Sequence, residues 1–289
     1  MKLFRQYHHL LQRRLMVFSL YFAWVLCTLS SGLARAELPV INGSIWQAGT
    51  IVQGGLIMAQ LPKGAYASLD GTPLVQSEQH YIAFGIHRDD TAMLELVITH
   101  PDGTRYITEL RPHKRRYDTQ SISGLAGKYV SPPQETLARI KRDAKDVSDA
   151  RDITSQQDDF IINGFDWPLN GTITGVYGSQ RILNGKPRAP HYGIDIAAPK
   201  GTPVIAPADG IITLAHDLYY TGGTVIIDHG LGISSTMLHL DKVDVARGQP
   251  IKRGAIIGLV GSTGRSTGPH LDWRMNWKQK RLDPQLAAK

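Results

Sequence analysis

Apolar and polar positions alternate with a period near two along most of this chain, and only one stretch carries a helical period. Tyr81-Ile82-Ala83-Phe84-Gly85-Ile86 reads as a strand, and Met93 to Ile98 with Arg105 to Thr108 reads as a hairpin pair. Pro101-Asp102-Gly103 supplies the turn, because proline presets φ and glycine accepts φ > 0. Gly54-Gly55 and Asp70-Gly71 mark further turns. This spacing predicts a β-sandwich-like N-terminal domain over residues 37–130. Residues 131–164 change character. Ser131-Pro132-Pro133-Gln134 has the form of a capping box, and Leu137, Ile140, Ala144 and Val147 then recur at helical spacing among Arg139, Lys141, Arg142, Asp143 and Lys145. This predicts a helical connector with a solvated charged face. From residue 165 to 289 short strands and glycine turns return: Val204 to Ile212, Thr224 to Gly230, and a strand pair between Ile251 and Val260 broken at Gly254. The pattern predicts a mostly β protein whose C-terminal part is a compact, rolled antiparallel sheet.

Length and charge refine this picture. The 289 residues suffice for two domains and two buried cores. Lys2, Arg5, Arg13 and Arg14 precede an apolar run from Leu15 to Leu29, and Ala34-Arg35-Ala36 follows with small residues where a signal peptidase reads. Residues 1–36 are therefore expected to be an export signal. If retained, residues 15–33 would instead tether the chain to a membrane. Removing the signal takes five basic residues with it and leaves 27 Lys+Arg against 25 Asp+Glu, so the mature chain is nearly neutral and offers no nucleic-acid surface. Cys27 is the only cysteine and leaves with the signal, which excludes disulfides and thiol chemistry from the mature protein.

Candidate chemistry gathers in the last third. His191 and Asp195 are four apart across Tyr-Gly-Ile, where Gly193 would let the backbone bend; His239 ends a strand-like run; His270 and Asp272 are two apart, on one face of a strand. All are groups that bind metal or move protons. His80, His87, His100 and His113 lack ligand spacing, and His216 and His229 read as exposed or structural. Arg181 and Asn184, in the loop before His191, and Tyr219, near Gly222-Gly223, are candidates for lining a substrate groove.

The text around these residues resembles the M23 zinc peptidases of the lysostaphin and LytM type. It includes Trp167-Pro168, Tyr177-Gly178, His191-Tyr192-Gly193-Ile194-Asp195, Ala206-Pro207-Ala208-Asp209-Gly210, Asp228-His229-Gly230, Met237-Leu238-His239-Leu240 and Gly261-Ser262-Thr263-Gly264 through Gly268-Pro269-His270-Leu271. The resemblance implies an antiparallel β-roll metallopeptidase domain over 165–289. It makes His191 and Asp195 ligands of Zn2+, and His239 and His270 the catalytic pair. It implies peptidoglycan stem peptides as substrate, in the periplasm, with the N-terminal domain or a regulatory protein partner controlling access. Ala206 to Ile212 also resembles sugar-phosphotransferase IIA proteins, whose phosphoryl donors are cytoplasmic; the export signal argues against that class.

One position departs from the family. Its third ligand is the second histidine of H-x-H, and here that place is Asp272. A carboxylate can bind zinc, so Asp272 is expected to complete the metal set, but the site becomes more nearly neutral and should acidify bound water less. The alternative is a catalytically degenerate domain that binds peptidoglycan or activates another cell-wall hydrolase.

Overall fold

The structure is a computed structural model and describes residues 41–289. The predicted export signal lies outside the described residues. Among the described residues, no helix is long and apolar enough to cross a membrane.

The N-terminal strands form two small antiparallel sheets. One is ordered β1 (Trp46–Gly49), β2 (Leu56–Gln60), β5 (Tyr81–Gly85). The other is ordered β4 (Thr72–Pro73), β3 (Tyr66–Leu69), β6 (Leu94–Thr99), β7 (Arg105–Leu110). The β6–β7 hairpin pairs Leu94 with Leu110 and Thr99 with Arg105, and Gly103 takes φ 85° in its turn. Alternation does the sorting: Leu96 and Ile98 are buried while Glu95 is exposed.

The C-terminal sheet is ordered β18 (Pro250–Ile251), β14 (Gly210–Leu218), β15 (Gly222–Gly230), β16 (Ile233–Leu240), β20 (His270–Trp277), β12 (Ile194–Ala197), β9 (Thr172–Gly175), with β21 (Lys280–Leu282) on β20. Every residue of β15 and β16 is buried. Burial on both faces has a cause. Val225 and Ile227 point into the main core, while Ile226 points the other way and joins Leu214, Leu218, Ala150 and Val147 beneath the helix Leu137–Asp152. The predicted connector therefore packs across the sheet.

Three expectations need correction. The capping box does not form. Ser131 follows a short helix, Gly127–Val130, and its hydroxyl contacts Lys186; a 3-10 turn at Gln134–Thr136 precedes the long helix, whose N-cap, Thr136, makes no side-chain cap bond. The stretch from Ile251 to Val260 is not a strand pair: β18 pairs with β14, whereas β19 (Ile256–Leu259) pairs with β13 (Pro203–Ile205) and β17 (Lys242–Val243). There are also not two separate cores. The described residues 41–289 belong to one compact unit, and one apolar cluster runs from Ile57, Phe84 and Ile98 to Ile194, Ile227 and Trp273. Gly85 lets β5 approach this closely, since a Cβ there would collide with Leu282 and Trp277. The Arg115–Asp283 ion pair at 2.7 Å, Lys280–Asp90 at 2.7 Å and the Phe84–Trp277 ring contact close the seam.

Candidate metal centre

Strand pairing assembles the cluster. β12 and β20 run antiparallel with Asp195 directly opposite Asp272 and Ala197 opposite His270. Two facing carboxylates repel unless cations or a metal stand between them. Leu271, Trp273 and Met275 fill the core, so His270, Asp272 and Arg274 share the other face of β20. His191 enters from the loop before β12. Its Nε2 lies 3.1 Å from Asp195 Oδ1 and 3.5 Å from Asp272 Oδ2. His191, Asp195 and Asp272 are buried and each offers a ligand atom within 4.8 Å of the others. Gly193 is needed for room: a Cβ would strike Arg274, the Trp273 carbonyl and the Asp272 carboxylate, and its φ is unexceptional. The predicted role in bending the chain is thus replaced by one of close approach.

The two histidines stand beside this cluster, their rings 4.8 Å apart. His239 has φ 65°, a costly conformation for a non-glycine residue, at a bulge where the β15–β16 register shifts between Gly223 and Val225. The bulge turns its ring into the cleft. His239 Nδ1 lies 2.8 Å from the Thr263 carbonyl, and His270 Nδ1 lies 2.8 Å from the Gly268 carbonyl. A carbonyl only accepts, so each ring carries its proton on Nδ1 and presents a basic Nε2. Burial pushes the His239 pKa down to about 4, so this ring is neutral at physiological pH.

The sequence matches peptidase family M23 over residues 189–284.

Residues 189–284 are a peptidase family M23 domain.

Vibrio cholerae peptidoglycan DD-endopeptidase ShyA is 46% identical over 87 residues, 30% of this chain and 20% of that protein. ShyB of the same organism is 40% identical over 127 residues, 44% of this chain and 27% of that protein. The match thus spans about a quarter or less of these relatives' length. A Pseudomonas aeruginosa crystal structure assigned to peptidase M23 superposes with a TM-score of 0.61 at 28% identity, covering 82% of this chain and 93% of that one. The fold likeness therefore extends beyond the M23 domain to the N-terminal sheets.

The M23 domain holds its carboxylates with two guanidinium groups. Arg181, on β10 (Gln180–Leu183), donates to Asp195 Oδ2 at 2.6 Å, leaving Oδ1 toward His191 and His270. Arg274 grips both oxygens of Asp272, through Nε at 3.0 Å and Nη2 at 2.5 Å. Burial opposes ionisation of Asp272, but the charges of Arg274 and His191 outweigh it and hold its carboxyl well below the usual range. Burial likewise opposes protonation of His191, and Asp272 and Asp195 overcome it and raise its pKa.

A divalent cation fits part of this arrangement. His191 Nε2 and Asp195 Oδ1 are buried and make no well-formed hydrogen bond despite their 3.1 Å approach. A neutral imidazole nitrogen and a carboxylate oxygen thus face one space, which a cation would satisfy. Asp272 can join only by sharing an oxygen with Arg274. A neutral His191 and two aspartates would balance the charge of Zn2+.

The predicted groove residues divide. Arg181 faces the cleft, but as Asp195's partner. Asn184 and Tyr219 are turned away. Asn184 exchanges two hydrogen bonds with the Leu125 backbone, and the Tyr219 hydroxyl donates to the Lys128 carbonyl at 2.9 Å. Both side chains hold the 119–130 segment. That segment begins as β8 (Thr119–Ile122), parallel to β10, and its Gln120, Ile122 and Leu125 wall a cleft of about 250 Å³ together with Asp195, His239 and His270. His229 is fully buried between the Asp209 carbonyl and the Ser235 hydroxyl, a structural role, and His216 lies within β14, exposed. Arg274 and Gly175 were not foreseen. A Cβ on Gly175 would occupy the Asp195 carboxylate's place. Arg274 follows Asp272 by two residues, and strand alternation would have put it on the same face.

Proposed function

We propose that this chain is an exported, zinc-dependent endopeptidase that hydrolyses peptide cross-links of peptidoglycan in the periplasm, with the D-Ala to diaminopimelate bond as target. The observation that carries this reading is the convergence of His191, Asp195 and Asp272 beside two tautomer-fixed histidines in one cleft. The relatives' names, peptidoglycan DD-endopeptidases, supply the substrate class.

His191, Asp195 and one oxygen of Asp272 would hold the ion. When bound there, a divalent cation supplies Lewis acidity toward a peptide carbonyl and lowers the pKa of water. The other steps belong to side chains. His239, neutral and basic at Nε2, takes a proton from the attacking water. His239 then returns that proton to the leaving amine, and His270, with its Nε2 3.8 Å from Asp195 Oδ1, stabilises the developing oxyanion in its doubly protonated form. Arg181 keeps the Asp195 carboxylate oriented. The wall made by residues 119–130 narrows the approach, so only a slender extended peptide enters.

The test is metal content of the full chain together with digestion of purified sacculi. Muropeptide products that disappear in His239→Ala support the reading; metal-free protein giving no products refutes it. A second reading has its own observation. Arg274 already occupies both Asp272 oxygens, a place where its positive charge substitutes for an ion's. On that reading the domain binds peptidoglycan, or activates another hydrolase, without cutting. Sacculus binding that survives chelation, with no products, would select it.

A further inference from the structure

A second cavity, of about 420 Å³, lies between the helix Leu137–Asp152 and the sheet, and it is lined by Arg151, Arg265, Arg274 and Arg281 with Thr236 and Gln279. We propose that this cavity is a binding site for a small polyvalent anion, a ligand bearing at least two carboxylate or phosphate charges.

The argument starts from charge that nothing offsets. Arg151 is 5% exposed, and its Nε has no hydrogen-bond partner among the described residues. Among the described residues, none of Arg151, Arg265 and Arg281 forms an ion pair; Arg281 donates to the Asn276 amide oxygen at 3.3 Å and lies over the Tyr192 ring, and Arg265 lies over Tyr220. Arg274 is neutralised by Asp272. Among the described residues, Asp143 is the only acid on the cavity wall, and it is turned to the Tyr219 backbone N–H at 2.6 Å and toward Arg139. A guanidinium left buried without a carboxylate, as Arg151 is, costs stability, and an anionic ligand would supply the missing charge; Arg265 and Arg281 are half-buried beside it. Burial and the neighbouring charges of Arg281 and Arg274 push the Arg151 pKa well down, and burial with Arg274 brings Arg281 to about 10, so the strain of this cluster is mutual. The Thr236 hydroxyl, buried on the wall and without a hydrogen-bond partner among the described residues, is a further waiting donor.

The chemistry names the ligand class. Guanidinium forks match the oxygens of carboxylate and phosphate, and three uncompensated ones exceed what a monovalent ion would balance. The volume is too large for one phosphate and suits two anionic groups on a short linker. The proposal stands apart from the metal centre: it needs neither the ion nor bond cleavage.

The experiment measures calorimetric binding and thermal shift of the full chain with inorganic phosphate, pyrophosphate and glutarate at low chloride. Pyrophosphate or glutarate should bind and raise the melting temperature, more strongly than phosphate, with affinity falling as salt rises. Binding should weaken about tenfold or more in Arg151→Met and in Arg281→Met, since each removes a charge-assisted pair. It should persist in His191→Ala, which dismantles the metal site and so separates this result from chelation and from the fate of the peptidase reading. Arg151→Met should also melt higher than the native chain without ligand, because an uncompensated buried charge is gone, and Arg151→Lys should retain weaker binding. Preference for pyrophosphate assigns a phosphate ligand, and preference for glutarate a peptide-like dicarboxylate. No binding of any of the three at about 10 mM, or binding unchanged in both Met variants, overturns the proposal.

Discussion

The metal cleft and the arginine cavity lie on one face of the same sheet, and β20 serves both. His270 and Asp272 face the cleft, and Arg274, the next residue on that face, reaches the cavity wall. The cleft gathers carboxylates and imidazoles, and its acids are each held by one guanidinium. The cavity gathers guanidinium groups and leaves most of them without acids. A strand's alternation places residues on a face; it does not decide their charge. Here three successive outward positions run from imidazole through carboxylate to guanidinium, so charge separates along a single strand. Arg274 is the boundary: its positive charge serves Asp272 and is withdrawn from the cavity.

The sharpest test of this division is to remove one side and read both. His239→Ala should reduce sacculus cleavage by about 10²–10⁴-fold while metal content stays near the native value, because the change deletes a proton-transfer group and leaves the ligands. His191→Ala should lose metal as well as cleavage. Arg274→Leu attacks the boundary. It leaves Asp272 buried without its partner, so the metal-free protein should lose about 3–5 kcal/mol by urea unfolding, and added zinc should recover more of that loss than it adds to the native chain. If zinc recovers nothing, Asp272 does not serve as a ligand. His229 supplies a control from neither region. Burial lowers its pKa to about 4, so the folded state excludes a proton that the unfolded state binds below pH 6.5. Its contribution is fully present above pH 6.5 and lost as pH falls toward 4. The slope of unfolding free energy against pH in that window should diminish in His229→Gln, by up to about 3 kcal/mol integrated over it. The smallest effect is expected at Asn184→Ala. Loss of its two bonds to Leu125 should cost about 1–2 kcal/mol, increase protease cutting within residues 119–130, and raise cleavage of sacculi several-fold if that wall restricts entry.

What the sequence revealed and what it concealed follow from the range of the interactions. His191, Asp195, His270 and Asp272 were legible because their spacing is local, i,i+4 across a loop and i,i+2 on a strand, and His239 was legible from the strand-like run it ends and from the family resemblance. The β6–β7 hairpin was legible because Pro101-Asp102-Gly103 specifies its own turn. Arg274 was passed over because a lone arginine in a strand looks like an exposed charge, and only tertiary packing buries it. Gly175 says nothing in sequence about the carboxylate it makes room for. Thr119-Gln120-Ser121-Ile122 carries no strong strand pattern; β8 exists because β10 offers it an edge far along the chain. The capping box failed because Ser131 was drawn to Lys186 instead. Two cores were expected from chain length, but Gly85 and Leu282 bring the sheets into one.

That shared interior has a consequence for how the molecule comes apart. An N-terminal sheet with its own core could melt first and leave a working remainder. Here Phe84 meets Trp277, and Arg115 reaches the buried Asp283, so loosening β5 strips cover from β20, the strand that carries His270 and Asp272. Heating or denaturant should therefore give one sigmoidal transition, with N-terminal and cleft reporters lost together, and the fold's cooperativity makes the first β region a keystone of the cleft's order.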